Sequence, residues 1–330
     1  MKTVAVIGSG SWGTALAVQL KRAGLNVILW SFKEEEAVSI LENRENKEFL
    51  PGVKIDKDII VTTKDEDISW ADIVLFATPS KFVRNMAKRF APYIKEKQIV
   101  INVAKGLEED TLLRLSQVIQ QEIPICTPVV LSGPSHAEEV GKNMATTLVA
   151  ASEDIDAAKT VQKLFSTPMF RIYTSTDIIG VEIGGALKNL IALAAGISDG
   201  VGYGDNTKAA LMTRGIAEIS RLGVAMGAKE KTFAGLSGIG DLIVTCTSKH
   251  SRNRNAGELL GKGKTLEEAL EQVHIVVEGV VNAKAAYELS KRYNVSMPIT
   301  EEINKVIEGK IEVEKAVYEL MTRDFTHEDN

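Results

Sequence analysis

The sequence predicts an α/β protein in two parts: a doubly wound, mainly parallel sheet over residues 1–178, then an all-α domain over residues 179–330. Three observations lead there. Short β-rich runs alternate with helical patterns through the first half. A glycine-rich turn follows the first of those runs. The strand signals stop near Ser175, and long helical stretches take over.

In chain order, strands are expected at residues 4–7, 27–30, 59–62, 73–77, 99–103, 128–132, 147–150 and 170–173. Several are near-continuous apolar runs, as strands covered on both faces should be. Between them, helical spacing marks residues 12–23, 33–43, 81–93, 112–121, 135–140 and 154–165. Beyond Ser175 it marks 177–199, 206–226, 266–272, 280–293 and 297–308. Residues 326–330 read as a frayed end.

The bulk numbers narrow the class of function. With 45% hydrophobic and 25% charged residues, the chain is globular in composition. A net charge of −5 with no long basic tract argues against nucleic acid or an anionic membrane as the main partner. A small anionic substrate remains compatible, because a few lysines and arginines suffice for a local positive pocket. Two scattered cysteines, Cys126 and Cys246, fit a reducing cytoplasm rather than a disulfide framework. The start of the chain lacks a signal-peptide pattern, and no uninterrupted apolar stretch spans a bilayer. No metal-ligand set is assigned.

Gly8-Ser9-Gly10-Ser11-Trp12-Gly13 follows a strand and opens a helix, the context that a G-x-G-x-x-G dinucleotide motif requires. Gly8 permits the tight turn, Gly10 lets the backbone approach a pyrophosphate, and Gly13 lets helix and strand pack closely. The N–H groups of the helix start then face the phosphates. This makes the sheet Rossmann-type. The competing reading is a glycine-rich turn without a ligand. Trp12 has two readings of equal weight: an anchor for the helix, or a cover for the cofactor.

Cofactor choice is read at the end of the second strand, where NAD-selective sites place an acid on the ribose 2′-hydroxyl. Here the residues are Trp30-Ser31-Phe32-Lys33. No acid stands at the strand end, and Lys33 suits a 2′-phosphate, which tilts the expectation toward NADPH. Against that, Lys33 can pair with Glu36 on the helix face, and the acids at 34–36 repel a phosphate if they point inward.

Four further segments concentrate donors. Lys105 lies just past a strand end, where ligands sit in open α/β sheets. Gly133 and Ser135 follow another apolar strand. Lys188 lies in an otherwise small and apolar helix, sharing a face with Ala192 and Ala195. A buried lysine has a lowered pKa and suits proton donation to a carbonyl; the plain alternative is a lysine snorkelling from a helix edge. The last segment joins the glycine-dense run at 235–240 to Asp241 and to Ser251-Arg252-Asn253. Ser251 reads as a helix N-cap or as part of a phosphate site. Asp241 reads as the partner of a lysine or of a substrate hydroxyl, or as a turn residue.

Together, residues 8–17, the Lys105 loop, Gly-Pro-Ser-His-Ala at 133–137, Gly-Ala-Leu-Lys-Asn at 185–189, Gly-Ile-Gly-Asp-Leu at 238–242 and Ser-Arg-Asn at 251–253 resemble the bacterial NAD(P)-dependent glycerol-3-phosphate dehydrogenases. The resemblance runs in order along nearly the whole chain, and the combination is far more specific than any single motif. It implies that Lys188 is the proton donor/acceptor and that Lys105 touches both cofactor and substrate. It places Gly133, Ser135, Asp241, Ser251, Arg252 and Asn253 with Lys105 and Lys188 at the substrate. It places Ser11, Trp12, Ala137, Arg252, Val276 and Glu278 at the cofactor, beside Gly8, Gly10, Gly13 and Lys33. At Phe32 the family often has a basic residue, so the cofactor expectation stays at NADPH and/or NADH.

The implied activity is reduction of dihydroxyacetone phosphate to sn-glycerol 3-phosphate for phospholipid synthesis. The chain is expected in the cytoplasm, as a homodimer, without nucleic acid and without an integral membrane segment. Two rivals are weighed: a two-domain dehydrogenase of the β-hydroxyacid or 6-phosphogluconate type, and a nucleotide sensor without turnover. A sensor has no need of the isolated Lys188.

Overall fold

The structure is a computed structural model, and it describes residues 1–273, 276–325 and 327–328. The N-terminal part follows the expected alternation. It runs β1 (Thr3–Ile7), α1 (Ser11–Arg22), β2 (Asn26–Trp30), α2 (Glu34–Asn43), β3 (Glu45–Asn46), β4 (Leu50–Lys54), β5 (Ile60–Thr62), β6 (Ile73–Phe76) and α3 (Val83–Phe90). It continues through β7 (Ile99–Asn102), α4 (Leu115–Glu122), β8 (Thr127–Ser132), α5 (Ala137–Gly141), β9 (Thr146–Ala151), α6 (Ile155–Phe165) and β10 (Phe170–Ser175).

Eight strands form one sheet in the order β10-β9-β8-β7-β6-β1-β2-β5, parallel throughout except where β8 meets β9. The chain moves outward from β1 through β2 to β5, then returns to β6 on the other side of β1. That reversal opens a crevice at the carboxyl ends of β1 and β6, the place where such sheets bind ligands. Both faces of the central strands are covered. Val4, Val6, Leu29 and Leu75 join one core cluster, while Ala5, Ile7, Ile28 and Val74 join another on the opposite face.

The eight expected strands are all present, and two elements differ. The helix expected from Leu112 begins at Leu115, because Leu112 has a left-handed φ of 61° and Arg114 stands at the N-cap. The helix expected from Ser135 begins at Ala137 behind His136. The β3–β4 hairpin was not foreseen.

From α7 (Ile178–Val201) onward the chain is helical: α8 (Asp205–Ala225), α9 (Glu230–Phe233), α10 (Asp241–Thr247), α11 (Arg252–Gly261), α12 (Leu266–Val273), α13 (Glu278–Arg292), α14 (Pro298–Ile307) and α15 (Val313–Met321). Helix α7 is the axis of this part. By length and composition it could cross a membrane, but 94% of its apolar window is buried in the protein. Asp177 caps it, accepting from Gly180 N at 3.0 Å, and the same carboxylate accepts from Lys229 N and Thr232 Oγ1, tying the helix start to α9. Helix α11 packs almost backbone to backbone against it. An added Cβ at Gly257 would lie 2.0 Å from Leu193 O, and one at Gly196 would lie 1.9 Å from Arg254 O. The small residues of α7 around Gly196 therefore admit a neighbouring helix rather than a ligand.

The sheet and the helical part are joined by a buried ion pair. Glu182 on α7 accepts from Arg114 Nη1 at 2.5 Å and from Ser116 N and Oγ at 2.8 and 2.6 Å, at the start of α4. All partners of the carboxylate are thus supplied, the condition under which a buried charge is tolerated.

Candidate active site

The glycine loop leaves β1 at Gly8, whose φ of 113° lies in the region that favours glycine, and whose N–H donates to Trp30 O at 3.0 Å. Gly13 packs against the turn so closely that an added Cβ would lie 1.9 Å from Gly8 O. Gly10 is the contrast: a Cβ built there meets nothing within 4 Å. Helix α1 has no side-chain cap at Gly10, so its first N–H groups are left to another acceptor. Thr78, just past β6 and beside Gly8, has a buried Oγ1 with no partner among the described residues. Open space, unpaired N–H groups and an orphaned hydroxyl fit a dinucleotide phosphate at this end of the sheet.

Asn46 of the unforeseen hairpin braces this loop. Its Nδ2 donates to Ser9 O at 2.6 Å and to Thr14 Oγ1 at 2.9 Å. Trp12 is half-buried and packs on the sheet core, which supports the anchor reading. Ser11 opens α1 beside it. Lys33 is 61% exposed at its side chain and lies 3.4 Å from Glu36 Oε1.

Around the ends of β7 and β8 the substrate candidates converge. Lys188 is 5% exposed on α7, so the snorkelling alternative is excluded. Its Nζ donates to Asp241 Oδ1 at 2.6 Å and to Thr245 Oγ1 at 2.5 Å. Asp241, at the start of α10, is no ordinary turn residue. It is 1% exposed, and its second oxygen accepts from Lys105 Nζ at 2.7 Å. Lys105 also reaches Gly133 O at 2.9 Å and Ser135 Oγ at 3.3 Å. Gly133 has a φ of 133°, the turn that aims its carbonyl at the lysine. Two lysines thus share one buried carboxylate. Burial pulls the Lys188 pKa from 10.5 down to about 8; Asp241 opposes that fall and Lys105 adds to it.

Asn189 extends the cluster. It donates to Lys105 O at 3.2 Å and accepts from Asn253 Nδ2 at 3.0 Å, while Asn253 Oδ1 accepts from Gly279 N at 2.8 Å. Ser251 caps α11, its Oγ accepting from Arg254 N at 3.2 Å. Arg252 follows with no hydrogen bond or ion pair among the described residues. Its side chain reaches solvent, yet enough protein surrounds it that desolvation lowers its pKa, while Glu278 and Glu138 oppose that. A guanidinium in a cleft without a committed acid is a site for an anion.

Glu278 opens α13 and accepts from Ser80 N at 3.0 Å and Ser80 Oγ at 2.6 Å, clasping the loop after β6; burial raises its pKa. Ala137 is buried at the start of α5, and Val276 is half-buried just before α13.

The structure therefore brings Lys105, Gly133, Ser135, Lys188 and Asp241 into one cluster, and Asn253 reaches it through Asn189. Asn189 was not among the expected site residues, although it directly follows Lys188. His136, within the quoted Gly-Pro-Ser-His-Ala segment, was also unassigned. Its ring lies 5.9 Å from that of His250, its Nε2 is buried with no partner among the described residues, and desolvation followed by Lys188 lowers its pKa. A cavity of about 1310 Å³ between α7, α8, α14 and α15 contains none of these residues.

A dinucleotide loop at a topological switch point and a buried lysine–carboxylate cluster at neighbouring strand ends define a pyridine-nucleotide dehydrogenase. Comparison with known proteins narrows the class. Residues 3–158 match the family model of the NAD-dependent glycerol-3-phosphate dehydrogenase N-terminus, and residues 177–318 that of its C-terminus. A relative from Fusobacterium nucleatum named glycerol-3-phosphate dehydrogenase [NAD(P)+] is 54% identical over 327 residues, covering 98% of each chain. One of the same name from Bacillus subtilis is also 54% identical, covering 99% of this chain and 96% of its own. The crystal structure of a glycerol-3-phosphate dehydrogenase from Coxiella burnetii superposes with a TM-score of 0.94 at 34% identity, covering 98% and 99% of the two chains. A ketopantoate reductase, at 14% identity and a TM-score of 0.63, shares the fold alone. The chain belongs to the NAD-dependent glycerol-3-phosphate dehydrogenase family.

Proposed function

We propose that this protein reduces dihydroxyacetone phosphate to sn-glycerol 3-phosphate, reversibly and with NADH or NADPH, and that Lys188 is the proton donor. The observation that carries the assignment of Lys188 is its burial against Asp241 and Thr245 with a pKa near 8. A lysine in that range is largely protonated at neutral pH, yet gives up its proton far more readily than a solvated one.

Bound nicotinamide supplies the hydride to the carbonyl carbon. The chain's own residues do the rest. Lys188 stabilises the charge that grows on the carbonyl oxygen and delivers its proton there, with Lys105 adding positive potential. Asp241 holds both ammonium groups in place. Arg252, beside Ser251 and Asn253, takes the phosphate and so fixes the carbonyl in register. The glycine loop, with Glu278, Ala137 and Val276, belongs to the cofactor side. In this reading residues 1–178 form the dinucleotide-binding domain, to which Val276 and Glu278 are added from the helical part, and residues 179–330 form the substrate domain, to which Lys105, Gly133 and Ser135 are added from the sheet. A cytoplasmic location is part of the proposal, supported by two free, buried cysteines. So is a homodimer, supported by exposed Tyr318 and Met321 on α15 and checked by sedimentation.

The direct experiment is steady-state turnover of dihydroxyacetone phosphate with each cofactor, followed by reduced-nicotinamide absorbance, beside a β-hydroxyacid panel. Turnover confined to β-hydroxyacids, or cofactor binding with no turnover at all, sinks the proposal.

A further inference from the structure

The end of β2 lacks the acid that reads the adenosine ribose in NAD-selective sheets; Ser31 and Phe32 stand there instead. The fold brings a carboxylate to that place from the next helix. Glu36, in the first turn of α2, has Oε2 at 3.2 Å from Ser31 Oγ and 3.2 Å from Ser9 Oγ, and these two hydroxyls are 2.8 Å apart. Ser9 is the residue between the first two glycines of the loop, and Ser31 directly follows β2. The carboxylate therefore sits at the junction of glycine loop and strand end.

The one lysine that suits a 2′-phosphate is not independent of this group. Lys33 lies 3.4 Å from Glu36 Oε1, with its side chain 61% exposed against 19% for the glutamate. The acid is the anchored member of the pair and the lysine the solvated one. Arg89, whose guanidinium stacks over Trp30 at 4.7 Å and Phe32 at 5.8 Å, is bonded to Asp65 at 2.7 Å. Each cation already faces an acid, Lys33 facing Glu36 and Arg89 facing Asp65.

We propose that Glu36 is the cofactor-specificity residue of this chain: it accepts the ribose 2′-hydroxyl and repels a 2′-phosphate, so that NADH is the preferred cofactor. The inference rests on the dinucleotide reading of the glycine loop. It reverses the tilt toward NADPH drawn from Lys33 alone. The competing account of Glu36 is an acid placed favourably at a helix N-terminus. That account predicts a change in stability and no change in the ratio of the two cofactors.

The test is direct binding of NADH and NADPH to the full chain by nicotinamide fluorescence, for the wild type and for Glu36→Gln. Glutamine keeps an oxygen for the two serine hydroxyls and removes the charge. The wild type should bind NADH about tenfold or more tighter than NADPH, and Glu36→Gln should tighten NADPH about tenfold while weakening NADH, because an amide oxygen accepts from the ribose hydroxyl less strongly than a carboxylate does. The kcat/KM ratio for the two cofactors should follow. Equal or tighter NADPH binding by the wild type overturns the inference, as does a variant that shifts both cofactors by one factor. Binding of neither overturns the dinucleotide reading itself.

Discussion

Replacing Lys188 by methionine separates a catalytic lysine from a structural one. In the fold burial pulls its pKa from the ordinary 10.5 down to about 8. At about 1.4 kcal/mol per unit, the protonated lysine destabilises the fold by roughly 3 kcal/mol at neutral pH. The sign follows from the depressed pKa. The stability is present in full above pH 10.5 and is lost progressively as pH falls from 10.5 to about 8, where the unfolded chain holds a proton that the buried group does not; below about 8 the penalty is constant. Methionine removes this load and fills similar space. Asp241 is not stranded, because Lys105 still holds its Oδ2 at 2.7 Å. The variant should therefore melt at or above the wild-type Tm at neutral pH, with the advantage fading toward pH 10. Its kcat should fall by roughly 10²–10⁴, or about 3–5 kcal/mol of barrier, as expected for a lost general acid. In the wild type, reduction should decline as pH rises through about 8, while oxidation of glycerol 3-phosphate should rise over the same window. The assays are thermal melting and two-direction pH–rate profiles. A folded variant with kcat within about threefold of wild type, or a reduction rate flat across pH 8, refutes the reasoning.

Four other expectations follow from the same geometry. Arg252→Ala should raise KM for dihydroxyacetone phosphate roughly 10- to 100-fold, the worth of a charge-assisted contact, with a smaller effect on kcat; an unchanged KM in substrate titrations removes the phosphate assignment. Gly10→Ala should leave Tm unaltered and weaken dinucleotide binding in a fluorescence titration, whereas Gly13→Ala, with its Cβ 1.9 Å from Gly8 O, should lower stability by about 1–3 kcal/mol; the reverse pattern contradicts the loop reading. Glu182→Ala strands Arg114 in the interior and should cost about 3–5 kcal/mol in urea unfolding. Asp241→Asn removes the group that holds the Lys188 pKa up, so the decline of reduction with pH should move below about 8; a limb moved to higher pH reverses the assigned sign.

What was legible in the sequence divides along physical lines. The sheet strands were, because buried parallel strands are written as short apolar runs that need no distant partner to be seen. The β3–β4 hairpin was not: Glu45-Asn46 is two residues long, and β4 holds Pro51 and Gly52. Its importance lies in one side chain, Asn46, bonded to residues more than thirty positions away. The start of helix α11 was legible in Ser251, which reads as an N-cap, but its extent was not, since Asn253, Asn255 and Gly257 alternate with the better helix formers Arg252, Arg254 and Ala256. It forms because Gly257 lets its backbone seat against α7, a tertiary cause with no local trace. At the site, Lys188 stood out as the lone cation of an apolar helix. Asp241 could not be told from a turn residue, since its two lysine partners are 53 and 136 positions away.

The same distance explains how the site acquires its chemistry. The first lysine arrives from the sheet, the second from the central helix, and the carboxylate from a glycine-rich turn into α10. Only the packed state combines them, and there the charges sum to one positive unit in an interior that penalises charge. A carbonyl oxygen that becomes negative during reduction meets that excess where the dielectric is low and no solvent need reorganise. Desolvation alone would drive Lys188 to the neutral form and remove the proton it must give. Asp241 alone would hold the proton too firmly. With Lys105 sharing the carboxylate, the two effects meet near pH 8, where the proton can move in either direction.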